Sequence, residues 1–178
     1  MRILFILFLF LSSLLLRAQS ASEVYIMKYD SLAIEITNQY DIPASLVLGI
    51  ALQESGAGTS KLCRSKHNHF GVKTRVRSTK TKSGYTIVYR KFDSDEASYL
   101  HFGAMLSGKK FYARLKGNMD YMNWLRAMKD SKYATSTKWI GYVDKCIKRY
   151  DLTRFDPEEL TPLIPKIQIK DSIPVLLR

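Results

Sequence analysis

Glu54 lies four residues after Ile50 and eight after Leu46. On a helix, that spacing puts its carboxyl on the same stripe as two aliphatic side chains. A carboxyl there loses part of its hydration unless it is paired, and lost hydration favours the protonated form. A proton held near neutral pH is what a general acid needs. Gly56 and Gly58 follow and leave room for a bulky ligand. A helix-end glutamate that faces water or caps a neighbouring turn fits the same spacing.

Other reactive patterns are weaker. His67 and His69 are two apart, without an Asp, Glu or Cys pattern that would complete a metal site, and read as surface or cleft-rim histidines. No metal or other cofactor is expected. Asp93, Asp95 and Glu96 cluster at a helix start, where the helix dipole favours acids. No phosphate-cradling glycine loop and no Ser/His/Asp nucleophile arrangement is present. Cys63 and Cys146 can pair in an oxidising compartment or stay as two separate thiols.

The elements that must position Glu54 are mostly helical. Residues 23–40 carry apolar residues at helical spacing. Pro43 then opens a helix over 43–54 in which Leu46, Val47, Leu48, Ile50, Ala51 and Leu52 cover nearly every face. Such a helix belongs in the centre of a core, and Ser55-Gly56-Ala57-Gly58 ends it. A short helix is predicted from Thr59 to Lys66. Over 72–92 the alternation of Val72, Thr74 and Val76, then Tyr85, Ile87 and Tyr89, predicts a β-hairpin. Its tip, Ser78 to Ser83, is basic and reads as a solvated loop or a contact for an acidic ligand. Ser94 is a plausible N-cap for a helix to Ser107. Further helices fit 109–115, 119–130 and 136–150. The fold class is α+β, predominantly helical, with a small β-lobe. Residues 155–178 contain Pro157, Pro162, Pro165 and Pro174 and read as an extended tail.

The chain has 178 residues, enough for one domain with a real core. Residues 1–20 have a positive start, an apolar run from Ile3 to Leu16, and small residues at Ala18 and Ser20. This is the layout of a signal peptide cut near Ala18 or Ser20. The run is shorter than the roughly 20 residues that span a bilayer. Loss of Arg2 and Arg17 lowers the formal charge from +12 to +10. The mature protein is expected to be exported to the periplasm, envelope or exterior, monomeric, and without a stable transmembrane segment. Its charge suits anionic envelope polymers. Export argues against nucleic acid as a partner.

Four segments occur in order: Ile42 to Ser45 leading into Gln53 to Leu62; Asn68 to Lys73; Tyr89 to Ser94; and Lys132 to Thr135. Together they closely resemble the glucosaminidase family, glycoside hydrolase family 73, which includes flagellar and autolysin-type endo-β-N-acetylglucosaminidases. The resemblance covers about residues 24–152, and the domain is set at 21–154. It implies a lysozyme-like fold with a glycan cleft between a helical lobe and a β-lobe. Glu54 matches the family's catalytic glutamate and Tyr133 its active-site tyrosine. Asn68, Phe70 and Gly71 match a segment expected to shape the cleft floor. Tyr89 and Trp124 are candidates for sugar contact, although core packing competes for Trp124, as it does for Trp139.

One departure stands out. Glycoside hydrolysis usually uses two carboxylates, and the family often carries a second acid in the β-lobe. Residues 74–92 contain no Asp or Glu. Asp93 is the best remaining candidate. The substrate's own 2-acetamido group can serve instead, or a distant acid can swing in. Three functions stay open: cleavage of the N-acetylglucosaminyl β-1,4 bond in peptidoglycan glycan strands, lytic transglycosylase or muramidase action on the same polymer, and peptidoglycan binding without catalysis.

Overall fold

Residues 44–52 are all buried, which is why they form a central helix. The computed structural model describes residues 20–157. The predicted signal segment up to residue 19 and the tail beyond residue 157 lie outside the described residues. Helix α1 spans Ala21–Tyr40, α2 Ala44–Ser55 and α3 Lys61–Lys66. Strands β1 (Lys73–Arg77) and β2 (Tyr85–Tyr89) form an antiparallel hairpin. Helices α4 (Asp95–Ser107), α5 (Tyr112–Leu115), α6 (Tyr121–Asp130) and α7 (Trp139–Arg149) follow, then a 3-10 turn at Leu152–Phe155. The predicted helix over 109–115 is a single turn. Among the described residues, no helix is long and apolar enough to cross a membrane.

Helices α1, α6 and α7 and the 3-10 turn pack around α2. Leu46, Leu48 and Ile50 are fully buried, each stabilising the fold by roughly 1.5–3 kcal/mol. Gly49 lets α7 approach closely: a Cβ there would lie 2.5 Å from Ile147 Cγ1. Asp156, past the expected domain end at 154, accepts the Ser45 N–H at 2.8 Å and so caps the first turn of α2. Both cysteines are free thiols, Cys63 buried and Cys146 partly exposed.

A buried polar network joins α1 to α4 beneath the loop 67–72. Asp95 accepts from Tyr29 Oη at 2.6 Å and His67 Nδ1 at 2.7 Å, and pairs with His69 Nε2 at 3.0 Å and Lys28 Nζ at 3.4 Å. His69 is 0% exposed, not on the surface or a cleft rim. A carboxylate only accepts, so His69 Nε2 carries hydrogen and Nδ1 accepts from Tyr25 Oη at 2.7 Å. The Tyr99 hydroxyl lies 3.0 Å from Tyr25 Oη. Burial lowers the His69 pKa and outweighs the Asp95 hydrogen bond that opposes it. For Asp95, burial alone would push the pKa up, but bonds from Tyr29, His69 and His67 together hold it well below the ordinary range. The N–H of His69 also donates to Ser98 Oγ at 3.2 Å, which ties the loop to α4.

The folded chain thus holds His69 neutral and Asp95 ionised, while the unfolded chain protonates both more readily. Stability is present above the ordinary histidine value of 6.5 and falls as pH drops below it, with the Asp95 share lost below 3.8. His101, whose pKa is lowered by burial and then by Arg90, acts in the same direction. Urea midpoints should therefore decline from pH 7.5 to pH 5; equal midpoints would contradict the assignment. Asp95→Asn should cost about 2 kcal/mol at pH 7.5, through loss of charge-assisted hydrogen bonds, read from the same denaturation curves.

Candidate active site

Helix α2 ends at Ser55 because Gly56 is left-handed, with φ of 57°, and its N–H returns to Leu52 O. Ala57 and Gly58 are left-handed too, at 54° and 75°. The chain turns away at once and leaves Glu54 half-buried at the mouth of a cleft of about 530 Å³. The walls include Phe70, Gly71, Lys73, Tyr89, Tyr133 and Trp139. Among the described residues, Glu54 is the one carboxylic acid lining it.

Trp139, at the start of α7, donates its indole N–H to Glu54 Oε1 at 2.8 Å. The bond fixes one carboxyl oxygen. Oε2 lies by Gly71: a Cβ on that residue would stand 3.7 Å away, and φ is 65°. A side chain at 71 would be strained and would cover the oxygen. Glycine therefore keeps Oε2 open to the cleft.

Tyr133 packs between the rings of Trp139, at 5.4 Å, and Phe102, at 6.2 Å. Its hydroxyl donates to Phe70 O at 3.2 Å. Burial, then the nearby Glu54 charge, pushes its pKa well above the ordinary tyrosine value, so the hydroxyl keeps its proton. Lys129 Nζ donates to the carbonyls of Ala134, Thr135 and Ser136, at 3.1, 3.1 and 2.8 Å, and holds the loop that carries Tyr133.

The structure brings Glu54, Tyr133, Phe70, Gly71 and Tyr89 together around one cleft. Phe70 contributes a floor more than a contact: it is buried and stacks on Phe102 at 4.1 Å. Three expected site residues lie elsewhere. Asn68 is buried and donates to Val72 O and Arg90 O, both at 2.8 Å, while its Oδ1 accepts from Val72 N. Its polar groups are used in clamping the base of the hairpin, which leaves nothing for a ligand. Trp124 is 0% exposed and donates to Asn118 O at 2.7 Å, so it is a core residue. Asp93 is exposed and outside the cleft lining, so it does not stand beside Glu54 in this structure. Trp139, which the sequence left between sugar contact and core packing, lines the cleft and bonds Glu54. Its ring is buried as expected, and only the three-dimensional approach of α7 to the end of α2 discloses the hydrogen bond.

Comparisons with known proteins fit this geometry. Residues 30–152 match the glucosaminidase family, described as mannosyl-glycoprotein endo-β-N-acetylglucosaminidase. The exo-glucosaminidase LytG of Bacillus subtilis (strain 168) is 24% identical over an alignment of 169 residues that covers 85% of this chain; the chain spans 58% of LytG's length. The catalytic domain of the autolysin Auto from Listeria monocytogenes superimposes with a TM-score of 0.63 at 20% identity, covering 82% of this chain and 93% of that one. A peptidoglycan hydrolase from Sphingomonas sp. A1 gives 0.59 at 19% identity, covering 74% and 91%. The helical body with one hairpin is the lysozyme-like fold of these domains. Because the family match takes in well over half of the sequence, the chain belongs to the glucosaminidase family.

Proposed function

We propose that this protein hydrolyses the N-acetylglucosaminyl β-1,4 bond of peptidoglycan glycan strands, with Glu54 as general acid. The observation that carries the reading is one carboxyl at the end of a buried helix, open to a cleft and held by Trp139. Glu54 gives its proton to the glycosidic oxygen as the bond from that oxygen to C1 breaks. No second acid lines the cleft among the described residues, which favours the substrate's 2-acetamido oxygen as the group that closes on C1. Water then opens the resulting ring at C1, and the Glu54 carboxylate takes the proton that water releases. We assign the Tyr133 hydroxyl to orienting the acetamido group, through a lone pair that its bond to Phe70 O leaves free to accept the acetamido N–H.

The names of the relatives support a cell-wall substrate, and residues 1–20 support export. Ser20 bears on the cleavage point. Its side chain accepts the Glu23 N–H, and its own N–H donates to Glu23 Oε2 at 2.7 Å, a capping box for α1. A cut after Ala18 leaves that cap on the mature chain, whereas a cut after Ser20 removes it.

Glu54→Gln should lower wall hydrolysis by about 10³-fold, within the usual range for a general acid, with the melting temperature nearly unchanged. Dye release from labelled walls and thermal denaturation read the two effects, and clearing at full rate would reject the assignment. Mass spectrometry of wild-type digests should show reducing N-acetylglucosamine ends. Anhydro-muramic ends would instead mark a lytic transglycosylase, and wall binding without any released fragment would mark a binding protein. Trp139→Phe keeps a ring but loses the donor. It should lower kcat by about tenfold, the worth of one hydrogen bond to a charged group, with a much smaller change in KM.

A further inference from the structure

The hairpin that borders the cleft has an unusual surface. Between Lys73 and Lys91 the sequence holds seven cations and no acid. Register pairs Lys73 with Tyr89, Arg75 with Ile87 and Arg77 with Tyr85. Side chains two apart on a strand share a face, so all six residues lie on one side. The alternate face carries Thr74 and Val76 opposite Val88 and Thr86 and has no charge. Lys73 and Tyr89 line the Glu54 cleft, so the charged face continues the cleft outward.

That face is built to present its charges. Lys73 Nζ sits 5.2 Å from the Tyr89 ring centre, and the Arg75 guanidinium 4.9 Å from that of Tyr85. Tyr85, Ile87 and Tyr89 are 43%, 67% and 44% exposed, so the apolar half of the face is open as well. Among the described residues none of its three cations is in an ion pair. An arginine resting on a ring keeps its forked donors for a carboxylate. Beyond Arg77 a shallow hollow around the turn adds Lys80 and Lys82.

We propose that this face is a recognition surface for the peptide stems of the glycan strand, with Arg75 and Arg77 binding their carboxylates. The inference rests on the reading of the cleft as a peptidoglycan site. A strand that leaves the cleft past Lys73 and Tyr89 crosses this face. Its sugar rings are largely neutral, and its negative charge is concentrated in the stem carboxylates. Rows of cations about 7 Å apart along β1 meet those groups, while Tyr85, Ile87 and Tyr89 offer flat apolar surface to sugar and peptide. In the β-lobe, where a second catalytic acid would repel such stems, this chain carries charges that attract them.

The test uses the full chain carrying Glu54→Gln, so that strands are bound and not cut. Walls freed of phosphate-bearing polymers are prepared with their stems and, in parallel, with the stems removed by an amidase. Dissociation constants are read at about 50 and 200 mM salt, where screening differs. Stem-bearing walls should bind about tenfold more tightly at the lower salt, and the difference should shrink at the higher. Adding Arg75→Gln and Arg77→Gln should abolish that preference, while Arg75→Lys with Arg77→Lys, a folding control, should retain most of it. Equal binding to both walls, or a preference that survives the glutamine pair, would overturn the proposal. So would a preference seen only before the phosphate polymers are removed. Because binding is read without cleavage, failure here is distinct from failure of the hydrolase reading, which rests on the products of the wild-type chain.

Discussion

Everything at the cleft depends on burying α2 on all sides. A helix with no polar face cannot turn or slide without exposing aliphatic surface, so the position of its last turn is fixed by the core. Glu54 sits on that last turn. Its carboxyl therefore inherits its location from Leu46, Leu48 and Ile50, which are fully buried and do not line the cleft. The three left-handed residues that follow matter for the same reason. A helix that ran on, or left by a wider loop, would cover the carboxyl.

A second layer sets what faces Glu54. The backbone of Phe70 and Gly71 forms the opposite wall, and a loop cannot hold such a position by propensity alone. It is held from beneath by His69, which is bonded to Tyr25 and paired with Asp95, and from the side by Asn68. Asp95 satisfies four donors while remaining partly buried. Such a carboxylate is costly to lose, because the buried Tyr29 hydroxyl and His69 N–H would be left without an acceptor. The thiol of Cys63 beside this network stays protonated, since burial and then the Asp95 charge push its pKa up to about 11. The network is thus structural in its chemistry and positional in its effect.

Periodicity made much of this legible. The all-apolar helix, the glycine stop, the hairpin and the Ser94 cap each follow from local rules, and the structure has Ser94 accepting the Ala97 N–H at 3.0 Å. The placement of Glu54 at a cleft follows from the same stripe logic. Polar contacts between distant segments were not legible. Trp139 is 85 residues from Glu54 and His69 is 26 from Asp95, and no spacing rule connects such pairs. Residue type misled for the same reason. An indole at helical spacing looks alike whether its N–H meets a backbone carbonyl, as in Trp124, or a carboxyl at a cleft, as in Trp139. The histidine pair looked like surface because the acid that makes burial of His69 tolerable lies beyond the hairpin.

The absent second acid is best understood with the hairpin's other residues. Two strands with no covered face contribute little to stability, so their sequence is free to answer to a ligand. An acid in this lobe would lie close to Lys73, Arg75 and Arg77 and be neutralised by them, losing the basicity that activating water requires. A row of cations and a basic lobe carboxylate are therefore hard to combine on one small hairpin. In this chain the lobe holds cations and no acid over residues 74–92, and on the proposed function the same choice that favours an anionic strand leaves bond breaking to Glu54 and the substrate itself. On the proposed function, the β-lobe would hold the polymer in register, while the helical lobe, anchored by α2, would carry out the proton transfer.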